Sequence, residues 1–156
     1  MAVGIGFDIH RLEKGRKMVL GGVSIEFDKG PVGHSDGDAL LHAVIDALLG
    51  AAGWGDIGEW FPDTDEKFRG ADSATLVGEV KKQIEKAWTI VNLDVNVMLE
   101  RPKLGPVKKK IQARIAALLG VKESQVNVKA KTMEGLGDIG RGDAVAAQAV
   151  VELREV

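Results

Sequence analysis

Two residues near the start and one in the middle of the chain have side chains suited to holding a divalent metal. Asp8 and His10 are separated by one residue, and His42 interrupts an otherwise apolar stretch. Val3, Ile5, Phe7 and Ile9 alternate with Gly4, Gly6, Asp8 and His10. This is the period of a β-strand with one packed face. Asp8 and His10 therefore project from one side, beside two glycines that leave room for close approach. Two imidazoles and a carboxylate with an open fourth position form a set whose natural metal is zinc. The set exists only if the fold joins strand and helix, and the spacing is equally compatible with residues that never meet.

The stretch from His34 to Gly50 must position His42. It reads as a helix that Ser35 or Asp36 can cap, with Asp38 adding charge to its first turn and Gly50 as its stop. Asp38, His42 and Asp46 follow one another at i, i+4 down one side of an apolar body. Unpartnered ionisable groups are costly to bury, so the stripe faces a charge, a metal or a wet cleft. The alternative is a capped core helix whose histidine is simply hydrogen-bonded. Asp38 or Asp46, one turn either side of His42, can orient its ring.

Two further stretches carry polar groups at meaningful spacing. Gly55-Asp56-Ile57-Gly58 and Pro62-Asp63-Thr64-Asp65 lie in a long segment, Gly53 to Ser73. Closely spaced acids and exposed amides bind hydroxyls or a metal, although the same residues serve as turn formers. Lys129 to Gly142 contains Thr132 and Glu134 at a strand end, then glycines around Arg141. Glycines let backbone amides reach phosphate, a carboxylate holds magnesium, and arginine forks onto a diphosphate. No P-loop or dinucleotide fingerprint is present.

The remaining elements frame these groups. Met18 to Leu20 and Val23 to Phe27 flank Gly21-Gly22 as a hairpin. Ser73 can cap a helix over Leu76, Val77, Val80 and Ile84. Val91 to Leu99 alternates as a strand, and Pro106 opens a helix stopped by Gly120. Val126 to Ala130 and Ala144 to Leu153 read as strands, the last of small residues and apolar on both faces. Residues 1–156 are thus expected to form a single α+β domain, a mixed β-sheet packed against helices. The 156 residues suit one core, and a formal net charge of -2 gives no electrostatic case for nucleic acid. The absence of cysteine excludes disulfides and a thiolate nucleophile. No secretory leader or membrane span is read, so a cytoplasmic protein is expected.

Taken in order, Gly6-Phe7-Asp8-Ile9-His10, His34-Ser35-Asp36-Gly37-Asp38 with His42, Gly55-Asp56-Ile57-Gly58, Phe61-Pro62-Asp63-Thr64-Asp65 and Gly140-Arg141-Gly142 carry a specific resemblance. The chain resembles the 2-C-methyl-D-erythritol 2,4-cyclodiphosphate synthase family of the non-mevalonate isoprenoid pathway over essentially its whole length. The resemblance implies a homotrimer packed around its sheets, with active sites between subunits. It implies a lyase that cyclises 4-diphosphocytidyl-2-C-methyl-D-erythritol 2-phosphate, the 2-phosphate attacking the β-phosphorus and CMP leaving. It makes Asp8, His10 and His42 ligands of one Zn2+ per subunit, and Glu134 the ligand of Mg2+ or Mn2+ bridging the substrate diphosphate. His34 and Ser35 would lie by the attacking phosphate, as catalytic groups with Thr132 and Glu134. Asp56, Ile57, Gly58, Asp63 and Asp65 would hold the methylerythritol hydroxyls. Glu100 to Pro106, including Lys103, with Thr132 would form the cytidine and phosphate pocket, and Arg141 would also bind substrate. Lys131, Met133 and Asp138 depart from the family pattern. Two rivals remain: a zinc phosphohydrolase using bound water, and a non-enzymatic nucleotide- or isoprenoid-binding trimer with structural zinc.

Overall fold

The computed structural model describes residues 1–156. Its strands in chain order are β1 (Ala2–Lys14), β2 (Met18–Leu20), β3 (Val23–Ile25), β4 (Lys29–Pro31), β5 (Trp88–Met98), β6 (Val126–Lys131) and β7 (Ala144–Glu155). Its helices are α1 (Ala39–Ala52), α2 (Ile57–Trp60), α3 (Ser73–Ile84), α4 (Lys108–Leu119) and α5 (Gly137–Gly140). Five strands form one sheet in the order β4-β1-β7-β5-β6, while β2 and β3 pair as a separate hairpin. Only β5 and β6 run parallel, so the sheet is mixed, as an α+β domain requires. No helix is long and apolar enough to cross a membrane.

Helix α1 is the central element of the core. Leu40, Leu41, Ile45, Leu48 and Leu49 are fully buried along it, each worth ~1.5–3 kcal/mol of burial. Its termini differ from the sequence expectation. The cap is Asp38, whose side chain accepts from the Leu41 amide, and the left-handed stop is Gly53 rather than Gly50. Ser35 and Asp36 precede the helix and leave the cap to Asp38.

The strand pattern of β1 holds, but the packed face is the one bearing its glycines. A β-carbon at Gly4 would collide with the Ala47 carbonyl oxygen, and one at Gly6 with that of Ala43. Without side chains there, β1 lies directly on α1. Asp8 and His10 continue the same face and meet the helix at His42. The other face carries Val3, Ile5, Phe7 and Ile9, which are 65%, 64%, 53% and 50% exposed. In β7 the inward residues Val145, Ala147, Ala149, Val151 and Leu153 pack toward α1. Outward Gln148 and Val150 are exposed, and Ala146 is buried beside them.

Candidate metal centre

Three ligand atoms converge where β1 crosses α1. Asp8 Oδ2 lies 2.8 Å from His10 Nε2 and 3.0 Å from His42 Nδ1. The two imidazole nitrogens are 3.2 Å apart. A tetrahedral zinc with bonds of ~2.05 Å separates its ligands by ~3.3 Å, so the triangle would open by at most about half an ångström, along its Asp8–His10 edge, to hold one. The strand period aims Asp8 and His10 together, and the glycine contact sets their distance from His42. The side chains are 27%, 17% and 12% exposed, so the fourth direction remains open.

The electrostatics suit a cation. Burial alone would raise the Asp8 carboxyl, but hydrogen bonds and charge from His10 and His42 outweigh it and lower it to about 2. Burial opposes protonation of His10, yet the Asp8 hydrogen bond and charge raise it above 6.5. His10 Nδ1 is also held, at 2.9 Å from the Val32 carbonyl oxygen, which fixes the ring with Nε2 toward the site.

Neither Asp38 nor Asp46 orients the His42 ring, contrary to the i, i+4 reading. Asp38 is wholly buried and accepts from the Gly21, Gly22 and Leu41 amides. Burial pushes its carboxyl up against the pull of those three donors. Asp46 accepts from the Ile57 amide at 2.8 Å, securing α2. Two hydroxyls instead face His42 Nε2: Ser35 Oγ at 3.0 Å and Ser73 Oγ at 2.9 Å. Ser73 is not the cap that its sequence position suggests: Asp72 caps α3, and Ser73 is the first residue of the helix. No local pattern points from Ser73 to His42, because the contact is made across 31 residues.

A cavity of about 390 Å³ opens beside the triad and is lined by His10, His34, Ser35, His42, Ile57, Gly58 and Asp63. Phe61, Pro62, Phe68 and Leu76 supply its apolar wall. His34 Nε2 is buried without a partner in the chain. Asp56 and Asp65 lie outside the lining. Asp56 caps α2 through the Glu59 amide, and Asp65 accepts from the Lys67 amide.

The remaining candidates form a second group. Lys103 and Thr132 line a cavity of about 190 Å³ with Leu99, Glu100 and Leu104. Glu100 accepts from the Met133 amide at 3.0 Å, fastening the strand end to this wall. Glu134 is exposed and has a left-handed φ of 51°, unusual for a residue with a side chain. Arg141 is exposed and paired with Asp138, and it lines neither cavity. The two cavities share no lining residue.

The chain matches the YgbB family over residues 1–154. It is 51% identical to the 2-C-methyl-D-erythritol 2,4-cyclodiphosphate synthase of Alkaliphilus metalliredigens, covering 98% of this chain and 97% of the relative. The fold is similar to the bifunctional IspDF of Campylobacter jejuni, with a TM-score of 0.95 and 42% identity. That match covers 99% of this chain and 42% of the bifunctional one. It is also similar to the Plasmodium falciparum IspF in its CDP complex, with a TM-score of 0.86 and 35% identity over 99% and 96% of the two chains.

Proposed function

Because this chain belongs to the YgbB family, we propose that it is a cyclising, CMP-releasing lyase of isoprenoid synthesis. Its substrate is 4-diphosphocytidyl-2-C-methyl-D-erythritol 2-phosphate, and its product is 2-C-methyl-D-erythritol 2,4-cyclodiphosphate. The observation that carries this reading is the Asp8, His10 and His42 triangle at the mouth of a cavity lined by polar groups. That donor set would hold one Zn2+, and the exposed Glu134 carboxylate beyond β6 would hold Mg2+ or Mn2+. The bound metals supply neutralisation of diphosphate charge, so two anionic groups of one molecule can approach.

The chain's own residues provide placement. His34 Nε2 and the Ser35 hydroxyl bond the attacking 2-phosphate, which is already anionic and needs no strong base. The Ile57 and Gly58 backbone and Asp63 hold the methylerythritol hydroxyls, with Asp56 and Asp65 shaping the segment around them. Lys103 and Thr132 receive the cytidyl phosphate side, joined by Arg141. Holding both ends of the substrate supplies the proximity on which an intramolecular displacement depends.

The reading includes a homotrimer. Half-exposed Val3, Ile5, Phe7 and Ile9 form a contiguous apolar row of the kind that other protein surfaces cover. Asn96, on the same outward side of the sheet, has its Oδ1 buried without a partner. A closed ring of three copies covers this side and sets the triad cavity of one subunit against Thr132 and Glu134 of the next.

Phosphorus NMR of the protein with the cytidyl substrate tests the function. Cyclic diphosphate and CMP are expected, with loss of product on chelation. Inorganic phosphate or a linear phosphate ester would overturn the cyclase in favour of a hydrolase. Binding without turnover would leave a non-catalytic module.

A further inference from the structure

His42 presents Nδ1 to Asp8 and His10, so a metal-binding Nδ1 must be bare and the ring proton must sit on Nε2. That proton faces two hydroxyls at nearly equal distance, Ser35 Oγ at 3.0 Å and Ser73 Oγ at 2.9 Å. Their surroundings differ. Ser73 is wholly buried, and its hydroxyl donates to Asp36 Oδ1. Asp36 also accepts from the Asp38 amide on Oδ1 and the Ser73 amide on Oδ2, each at 3.0 Å. All three groups facing this carboxylate are donors. Ser73 Oγ, with its proton committed to Asp36, therefore offers only lone pairs to His42. Ser35 has no carboxylate behind it and lines the cavity.

We infer that Asp36 and Ser73 form a positioning relay that holds the His42 ring proton on Nε2 and keeps Nδ1 available to the metal. The same arrangement divides labour between two serines. Ser73 orients the ligand, and Ser35 keeps its hydroxyl proton for a phosphate oxygen in the cavity. The relay also ties α3 to the metal centre, since Ser73 is its first residue. The adjoining backbone is paired as well: the Asp36 amide bonds the Ala71 carbonyl and the Gly70 amide bonds the His34 carbonyl.

This inference rests on the metal reading of the triad, and the test separates the two. Full-length Ser73→Ala, Ser73→Thr, Asp36→Asn and Ser35→Ala are stripped of metal, and zinc affinity is read by competition with a chromogenic chelator. Ser73→Ala is expected to bind zinc ~10–100-fold more weakly, the usual loss for an orienting partner of a ligand histidine. Asp36→Asn is expected to lose less than Ser73→Ala, because its carbonyl oxygen can still accept from the Ser73 hydroxyl and the Asp38 amide while its amide group meets only the Ser73 amide. Ser73→Thr, which keeps the hydroxyl, and Ser35→Ala are expected within ~3-fold of the unaltered chain. Proton–nitrogen NMR of the unaltered, histidine-labelled protein adds a readout that needs no variant. His42 is expected as the Nε2–H tautomer with a slowly exchanging proton once zinc is bound. Unchanged zinc affinity in Ser73→Ala, an equal loss in Ser35→Ala, or the Nδ1–H tautomer in the zinc-bound protein would overturn the relay. Failure of the unaltered chain to bind zinc would overturn the metal reading and the relay with it.

Discussion

The two halves of the proposed site are built in different ways. The triad half stands on the most buried helix of the molecule and on a strand pressed against it through Gly4 and Gly6. Each ligand is restrained by neighbours: His10 by the Val32 carbonyl, His42 by two hydroxyls, and Asp8 by both rings. The half containing Thr132, Glu134 and Arg141 follows the edge strand β6 and is mostly exposed. The register runs from Ile9 through Ala146 and Met98 to Lys131, so β1 and β6 are three strand spacings apart, roughly 14 Å. One chain brings together a group that could hold a metal but leaves the second half of the proposed site facing outward. A rigid ligand set needs the core, whereas a surface facing a diphosphate can be finished by another copy.

Removing a triad ligand should produce the largest difference between the halves. His42→Ala is expected to lower zinc affinity by more than ~100-fold, beyond the usual cost of losing an orienting group, and to bring turnover to background. Circular dichroism is expected to remain that of a folded chain, because His42 is a polar exception on α1. Stoichiometric zinc in purified His42→Ala would break the assignment.

Glu134→Gln should sharpen the contrast by affecting only the outward half. Its shape is retained and its charge lost, so turnover is expected to fall ~10²–10³-fold, as for other single electrostatic groups in active sites. Zinc content is expected to be unchanged, and excess magnesium to rescue little. Normal turnover would move the second metal elsewhere.

The smaller effect is one of pH on stability, arising from the triad half. Asp8 is lowered from 3.8 to about 2, so its contribution is present above pH 3.8 and lost as pH falls toward 2. His10 is raised above 6.5, so its contribution is present below pH 6.5 and lost as pH rises through the folded value. The thermal midpoint of the metal-free protein is expected to peak between these limits. The increment added by zinc should instead grow as pH rises, since protons and metal compete for the same three atoms. A metal-free midpoint that climbs from pH 6 to 8 would show that the Asp8–His10 pair is not formed.

Much of this arrangement is legible in the residues. Alternation over Val3 to His10, the apolar run around His42 and the Gly21-Gly22 hairpin translate directly into β1, α1 and the β2–β3 pair. Which face of β1 packs was not legible, because alternation does not say which partner each side meets. Gly4 and Gly6 allow α1 to approach, and the bulkier Val3, Ile5, Phe7 and Ile9 are left outward. The orientation of His42 was also hidden. Helical spacing suggested Asp38 and Asp46, but backbone amides of distant segments claim both carboxylates. Ser73, 31 residues beyond His42, supplies the contact through a tertiary approach that no local pattern encodes.

The division of the site between copies is tested most directly by mixing defects. His42→Ala and Glu134→Gln subunits, each nearly inactive alone, are unfolded together and refolded in equal amounts. About three quarters of random trimers are mixed, and each mixed trimer holds one intact site of three, so about one quarter of full activity is expected to return. If native mass spectrometry shows mixed trimers and no activity returns, both halves belong to one chain and the account is contradicted.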